Sequence, residues 1–302
     1  MKAPLFLLLA IAAASFAAPL VGAVAGIDPN MVDLLDRLSG PSLMHPLGTD
    51  ELGRDVLVRL LAGGRVSLVI GVAAALAAAA LGTLVGLAAG YLGGWTDRVL
   101  MRGTDAIIAL PLLPLLIVLA ALDLHKLGLP ERVIQSDEIS VIRIVALAVL
   151  VGWTTAARLV RGATLVTRNR DFVRAARSLG AGVPHILWLH ILPNVLGPLI
   201  VATTLSVGDV ILFESVLSFL GLGVQPPLSS WGSMLSNAQE LIATAPMLAV
   251  YPGLLIFLTV VACNLLGDRL QQRVDPAAAS RRWSTKKNRR AERGGERAPG
   301  PL

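Results

Sequence analysis

Six stretches of this 302-residue chain are long and apolar enough to leave it almost no choice of solvent: residues 5–25, 66–92, 106–122, 139–157, 195–224 and 241–266. A helical crossing of a bilayer takes roughly 20 mostly apolar residues, because only a helix satisfies its own backbone where water is absent. The spacing therefore predicts an all-α integral membrane protein with six transmembrane helices. Composition agrees, with 15% charged residues against about 25% in soluble domains, which excludes an ordinary cytosolic enzyme. The lone cysteine, Cys263, sits in an apolar run and excludes a disulfide framework or a thiolate metal cluster.

Charge sets the expected orientation. The net charge of +6 belongs to the end of the chain, where ten Lys/Arg and four Asp/Glu follow residue 267. One side of the membrane would hold Lys2, Arg98, Arg102, the six arginines from Arg158 to Arg177 and the tail, nineteen Lys/Arg in all; the other would hold seven. The positive-inside rule then places both termini in the cytoplasm. Residues 1–25 divide two ways, as a retained anchor or a cleaved signal peptide, and the uncharged run continuing to Ile27 favours the anchor. The expected division is an N-terminal anchor at 1–25, an external loop with an amphipathic helix at 26–65, a five-helix core at 66–270 and a basic, disordered tail at 271–302. That tail lacks hydrophobic periodicity and suits anionic lipid better than nucleic acid.

In the external loop, Thr49 is placed to cap a helix opening on Asp50 and Glu51, with Asp55 and Arg59 as an i,i+4 pair. Val56, Leu57, Leu60 and Leu61 would form its apolar stripe, ended by Gly63-Gly64. His45 with Asp50 and Glu51 could be read as metal ligands, but three such residues without a fourth are more often capping and turn groups. No metal site is expected.

The longest basic loop, on the opposite side, puts Phe172, Ala175, Ala176 and Leu179 at i, i+3, i+4 and i+7, one apolar face of a short helix, with Arg170, Arg174 and Arg177 on another. Gly180 and Gly182 break that helix. Pro184 suits the first turn of a second, which runs through His185, Trp188 and His190 to a bend at Pro193. From spacing alone, docking against a partner and folding back on lipid headgroups stay equally open.

Arg174-Ala175-Ala176, Gly180 and Leu192-Pro193 have the spacing of the EAA loop, and by these residues the chain resembles the permeases of ATP-binding-cassette importers. The resemblance is closest to the second-type permeases of dipeptide, oligopeptide and nickel importers. It extends to His45-Pro46-Leu47-Gly48-Thr49-Asp50-Glu51-Leu52-Gly53-Arg54-Asp55, Gly90-Tyr91-Leu92-Gly93-Gly94-Trp95, His190-Ile191-Leu192-Pro193-Asn194, Leu217-Ser218-Phe219-Leu220-Gly221-Leu222-Gly223, Trp231-Gly232-Ser233-Met234 and Asn264-Leu265-Leu266-Gly267-Asp268, motifs covering most of the chain. Arg174 stands where the family has Glu. The resemblance implies a non-catalytic, channel-forming subunit of an inner membrane, importing peptides or another small solute such as nickel. It also implies a second permease, two ATPase subunits that use ATP, and an external solute-binding protein as partners. Phe172, Arg174, Ala175, Ala176, Leu179, Gly180, Leu192 and Pro193 would then form the cytoplasmic coupling helix and its turn.

Within the spans, Gly82, Gly86, Gly90 and Gly94 recur every fourth residue, a spacing that lets another helix approach closely. Asp209 and Glu214 lie in the fifth span, where an ionisable group should face protein or water. Each is either a residue of the translocation path or a buried hydrogen-bonded carboxyl. At the start of the third span, Thr96 or Asp97 would cap a helix carrying an Arg102–Asp105 pair.

Other classes lack their chemistry. A phosphate-binding loop needs Gly-Lys, a dipeptide absent from the chain, and neither Gly-x-Ser-x-Gly nor His-Glu-x-x-His occurs. His185 and His190, five apart, do not share an α-helical face. A secondary transporter would show inverted repeats, which are not apparent by eye.

Overall fold

A computed structural model describes residues 2–121, 130–134, 136 and 138–274. Its elements in chain order are α1 (Lys2–Phe16), α2 (Ala18–Ala25), α3 (Val56–Leu92), α4 (Gly94–Ala109), α5 (Leu112–Ala120), α6 (Glu131–Ile134), α7 (Ile139–Thr167), α8 (Asp171–Ser178), α9 (Val183–His185), a π-helical turn (Ile186–Ile191), α10 (Leu192–Phe219), α11 (Trp231–Ala238) and α12 (Met247–Val274). Four helices are long and apolar enough to cross a membrane: α3, α7, the continuous Val183–Phe219 helix and α12. Two bent pairs bring the number to six, α1 with α2 at 46° and α4 with α5 at 90°.

The two bends revise the expected outlines of the first and third spans. The first breaks at Ala17, two residues before Pro19, which enters the next helix at a position where its missing N–H costs nothing. The third starts earlier than residue 106, at Gly94, and breaks at Leu110-Pro111, since Pro111 cannot continue the ladder of α4. Its expected end at Leu122 and the tail beyond residue 274 lie outside the described residues.

Helix α3 organises the bundle. At 37 residues it is about 55 Å long, well beyond a hydrocarbon core of about 30 Å, and α1, α7, α10 and α11 all pack on it. Its seam with α7 is the most extensive in the molecule and is made by glycines. A Cβ on Gly82, Gly86 or Gly90 would lie 2.5–2.7 Å from Trp153 and Ala156, from Ala157 and Val160, and from Thr164 respectively, so only hydrogen at these positions lets the helices meet. Gly94 is not part of this stripe. Helix α3 ends at Leu92, and Gly94 follows the turn with φ +57° and open space around it.

The same helix alters the reading of the external loop. Gly63 and Gly64 do not end a separate interfacial helix; α3 runs through them, across the 65/66 boundary, because Trp231 and Ser230 of the α11 segment press on their bare backbone. Val56 and Leu60 are buried in a core with Trp231, Met234 and Ile256. The cap is Asp55, whose carboxylate accepts from Val58 N at 2.7 Å, not Thr49, which instead accepts from Ser39 N. Arg59 pairs with Asp50 at 3.4 Å rather than with Asp55, which is already engaged by its own helix and by His45 Nδ1 at 2.9 Å. Asp50 and Glu51 both bind Arg54. Among the described residues no group of His, Cys, Asp or Glu is placed to hold a metal ion.

At the opposite end, α4 has no side-chain cap, because the helix begins three residues before Asp97. Asp97 pairs with Arg161 of α7 (Nη2–Oδ2 2.7 Å) and Asp105 with Arg158 (2.6 Å). Both acids thus tie α4 to α7 across the bundle rather than along their own helix.

Candidate functional site

The site is a groove made by α8, the turn after it and the π-helical segment. Helix α8 is short and strongly two-faced, with Asp171 in its first turn and Arg177 in its last, each favourable to the helix dipole. Val173 alone points inward, fully buried against Val160, Ile186 and Ile191. The sequence reading missed this anchor, although a lone β-branched residue between Phe172 and Arg174 on the basic face was its signal. Phe172 (43% exposed), Ala175 and Leu179 (88% exposed) face outward, with Ala176 half-buried beside them. With Gly180 and the segment after it they line an open groove of about 620 Å³.

Gly180 makes the groove possible. Its φ is +85°, a left-handed conformation closed to most side chains, and the amides of Gly180 and Ala181 return to the carbonyls of Arg177 and Ala176. Gly182 and Pro184 then start α9. From Ile186 to Ile191 the ladder widens to a π turn, which brings residues five apart toward one face. His185 and His190 therefore do meet, edge to face with ring centroids 5.6 Å apart, and Phe172 packs 6.3 Å from His190. Both histidines line the groove. A 3.6-residue period could not have shown this, since it separates them.

Two arginines fix the loop to the end of α3. Arg168 Nη1 donates to Gly90 O at 2.7 Å. Arg177 lies over the Tyr91 ring at 5.6 Å and donates to its hydroxyl at 3.3 Å. Arg174 is exposed on α8 outside the groove lining, and Leu192 and Pro193 sit beyond it, where the π turn passes into α10. Val183–Phe219 is one continuous helix, so the groove-lining His185 and His190 and the span α10 belong to one element.

The two acids of α10 lie apart. Glu214 is fully buried and accepts from three hydroxyls, Ser67 of α3 at 3.2 Å, Ser218 at 2.7 Å and Ser230 at 2.6 Å. Ser67 in turn accepts from Trp231 N, and Trp231 Nε1 donates to Leu60 O at 3.0 Å. This network joins α3, α10 and α11 at the end of the bundle away from the groove. Asp209, five residues earlier, is exposed.

The described residues thus form a multi-pass helical bundle with a groove at one end, directly continuous with a long apolar helix. The chain belongs to the family described as the binding-protein-dependent transport system inner membrane component, whose model matches residues 82–280. A glutathione transport system permease protein, GsiD, of Pectobacterium atrosepticum is 42% identical over 246 residues, 81% of this chain and 77% of the relative. GsiD of Escherichia coli O6:K15:H31 is 43% identical over 277 residues, covering 91% and 86%. A putative peptide permease protein of Brucella suis is 39% identical over 252 residues, covering 83% and 79%. The chain is thus a transport permease of an inner membrane.

Proposed function

We propose that this chain is one of two permease subunits of an ATP-binding-cassette importer for small peptides in a bacterial inner membrane. The observation that carries the reading is the exposed face of Phe172, Ala175, Ala176 and Leu179 around the Gly180 turn. An ATPase subunit would seat on that face, and its movement would pass through the π turn into α10. A second permease, a second ATPase and an external solute-binding protein complete the importer. The catalysis lies in the ATPases, and the relatives named for peptide and glutathione transport supply the substrate class.

The test is uptake in proteoliposomes holding both permeases and both ATPases, with the binding protein outside. Labelled di- and tripeptides should accumulate only with ATP on the ATPase side. Uptake of radioactive nickel in place of peptide would move the chain to the metal branch of the family, and peptide uptake without ATP would make it a secondary transporter.

Both termini face the cytoplasm in this reading, supported by the nineteen-to-seven split of Lys/Arg. In intact cells an impermeant thiol reagent should label cysteines placed at the exposed positions Ser42 and Gln225 but not one at the exposed Ser178. Labelling of Ser178→Cys alone would reverse the orientation.

A further inference from the structure

Asp209 is a carboxylate in an unusual place. It lies ten residues before the end of α10 at Phe219, about 15 Å along the helix, roughly half the thickness of a hydrocarbon core. Its neighbours on the helix are covered: Gly208 by Val260 and Cys263 of α12, Ile211 by Gly71 of α3, and Val210 by the core it shares with Ile144 of α7. Asp209 itself is exposed, on a stripe with Leu212 (44%) and Val216 (41%), and Leu205 half-buried one turn below. No described residue gives it a hydrogen bond or an ion pair. A carboxylate at this depth facing lipid is costly enough to be rare, so what covers it is water or protein.

Two observations favour water. The stripe sets a single carboxylate among Leu205, Leu212 and Val216, and an apolar wall with one polar group is the make-up of a small-molecule site. The stripe also belongs to the helix that runs unbroken from the groove, so the element displaced by a docked partner is the one that carries the charge. We propose that Asp209 lines the aqueous translocation path and selects passing peptides by charge, admitting cationic and neutral ones and disfavouring net-anionic ones. This inference rests on the peptide-importer reading. In a path walled by hydrocarbon, a fixed carboxylate attracts an ammonium and repels a second carboxylate. Glutathione, with two carboxylates and one ammonium, falls on the disfavoured side, which would set this chain apart from relatives named for it.

The experiment compares uptake of Ala-Lys-Ala, Ala-Ala-Ala and Ala-Glu-Ala by the complete importer in proteoliposomes. Asp209→Asn should raise the Glu-to-Lys peptide rate ratio by about tenfold, the scale of one fixed charge in a constricted path. Asp209→Glu should leave the ratio as in the wild type. An unchanged ratio in Asp209→Asn with transport intact overturns the proposal, as does loss of the second permease from the purified Asp209→Asn complex, which would make Asp209 a subunit contact. A second measurement needs no substrate. In a Cys263→Ala background, Asp209→Cys should react with small water-soluble thiol reagents in the membrane-embedded complex, and failure to react overturns the path assignment. If the importer takes up no peptide, the function proposed above fails. Labelling then decides alone whether Asp209 meets water.

Discussion

The two ends of the bundle are built in opposite ways. At the end away from the groove, the junction of α3, α10 and α11 is closed on itself. Trp231 is fully buried with its indole N–H bonded, and Glu214, although a carboxyl inside a membrane protein, has three hydroxyl donors. At the end that carries the groove, Leu179, Trp188 and Leu189 stand 60–88% exposed, and α8 is held by the buried Val173 and by Arg177 on Tyr91. Apolar side chains left in water are a site waiting for cover, whereas a satisfied buried network is complete without a partner. The contrast separates two kinds of substitution, those at the closed end that should change folding and those at the open end that should change transport in a protein that still folds.

The largest effect is expected at Gly180. Any side chain there adds about 1–2 kcal/mol of left-handed strain beside the groove that the ATPase is proposed to fill. Gly180→Asp should leave the permease inserted and abundant, yet uptake should fall by about tenfold or more, the scale of losing a central contact residue. The ATPases would detach or hydrolyse without transport. Gly40 in the loop between α2 and α3, with open space around it and no positive φ, is the control, and Gly40→Asp should be nearly silent. Normal transport by Gly180→Asp at normal expression would remove the coupling role from this loop.

At the closed end the readout is stability. Glu214→Ala leaves Ser67, Ser218 and Ser230 facing a cavity and should destabilise the purified chain by about 3 kcal/mol, seen as a lower unfolding temperature in detergent and a lower yield. Glu214→Gln keeps two acceptor lone pairs and should recover part of that loss. If Glu214→Ala unfolds like the wild type while uptake collapses, the carboxyl belongs to transport and the contrast between the ends is false.

How much of this was legible depends on the distance over which each feature is encoded. The spans were readable because hydropathy is local, and so were Gly82, Gly86 and Gly90, whose period is that of the helix they share. Gly94 fits the same period on paper, but the helix had ended. The role of Glu214 was hidden because Ser67 is 147 residues away and Ser230 is 16 away on a different helix. The apolar face of α8 followed from its spacing, whereas the meeting of His185 with His190 did not, because the helix type itself changes at Ile186. Pro111 marked a break in the third span, but nothing local indicated that the turn would be 90°.

The smallest effects test the seam that joins the two ends. On α3, a Cβ at Gly86 would sit 2.6 Å from Ala157 O and 2.7 Å from Val160 Cβ. A backbone oxygen cannot swing aside as a flexible side chain can, so Gly86→Ala must push α3 and α7 apart along their length. Overpacking of this kind costs about 1–3 kcal/mol. Across the same pair, Gly162 of α7 sits in the helix interior with nothing within 4 Å of its would-be Cβ. There alanine meets no neighbour and removes conformational freedom from the unfolded chain, a gain of about 0.5–1 kcal/mol. One methyl group should thus lower the unfolding temperature at Gly86 and raise it at Gly162, two substitutions of identical chemistry with opposite sign. Loss of stability at both positions would mean that the helix tolerates no added methyl and that the seam is not what distinguishes them. Gain at both would show α3 and α7 too loosely packed to carry motion from the open end to the closed one.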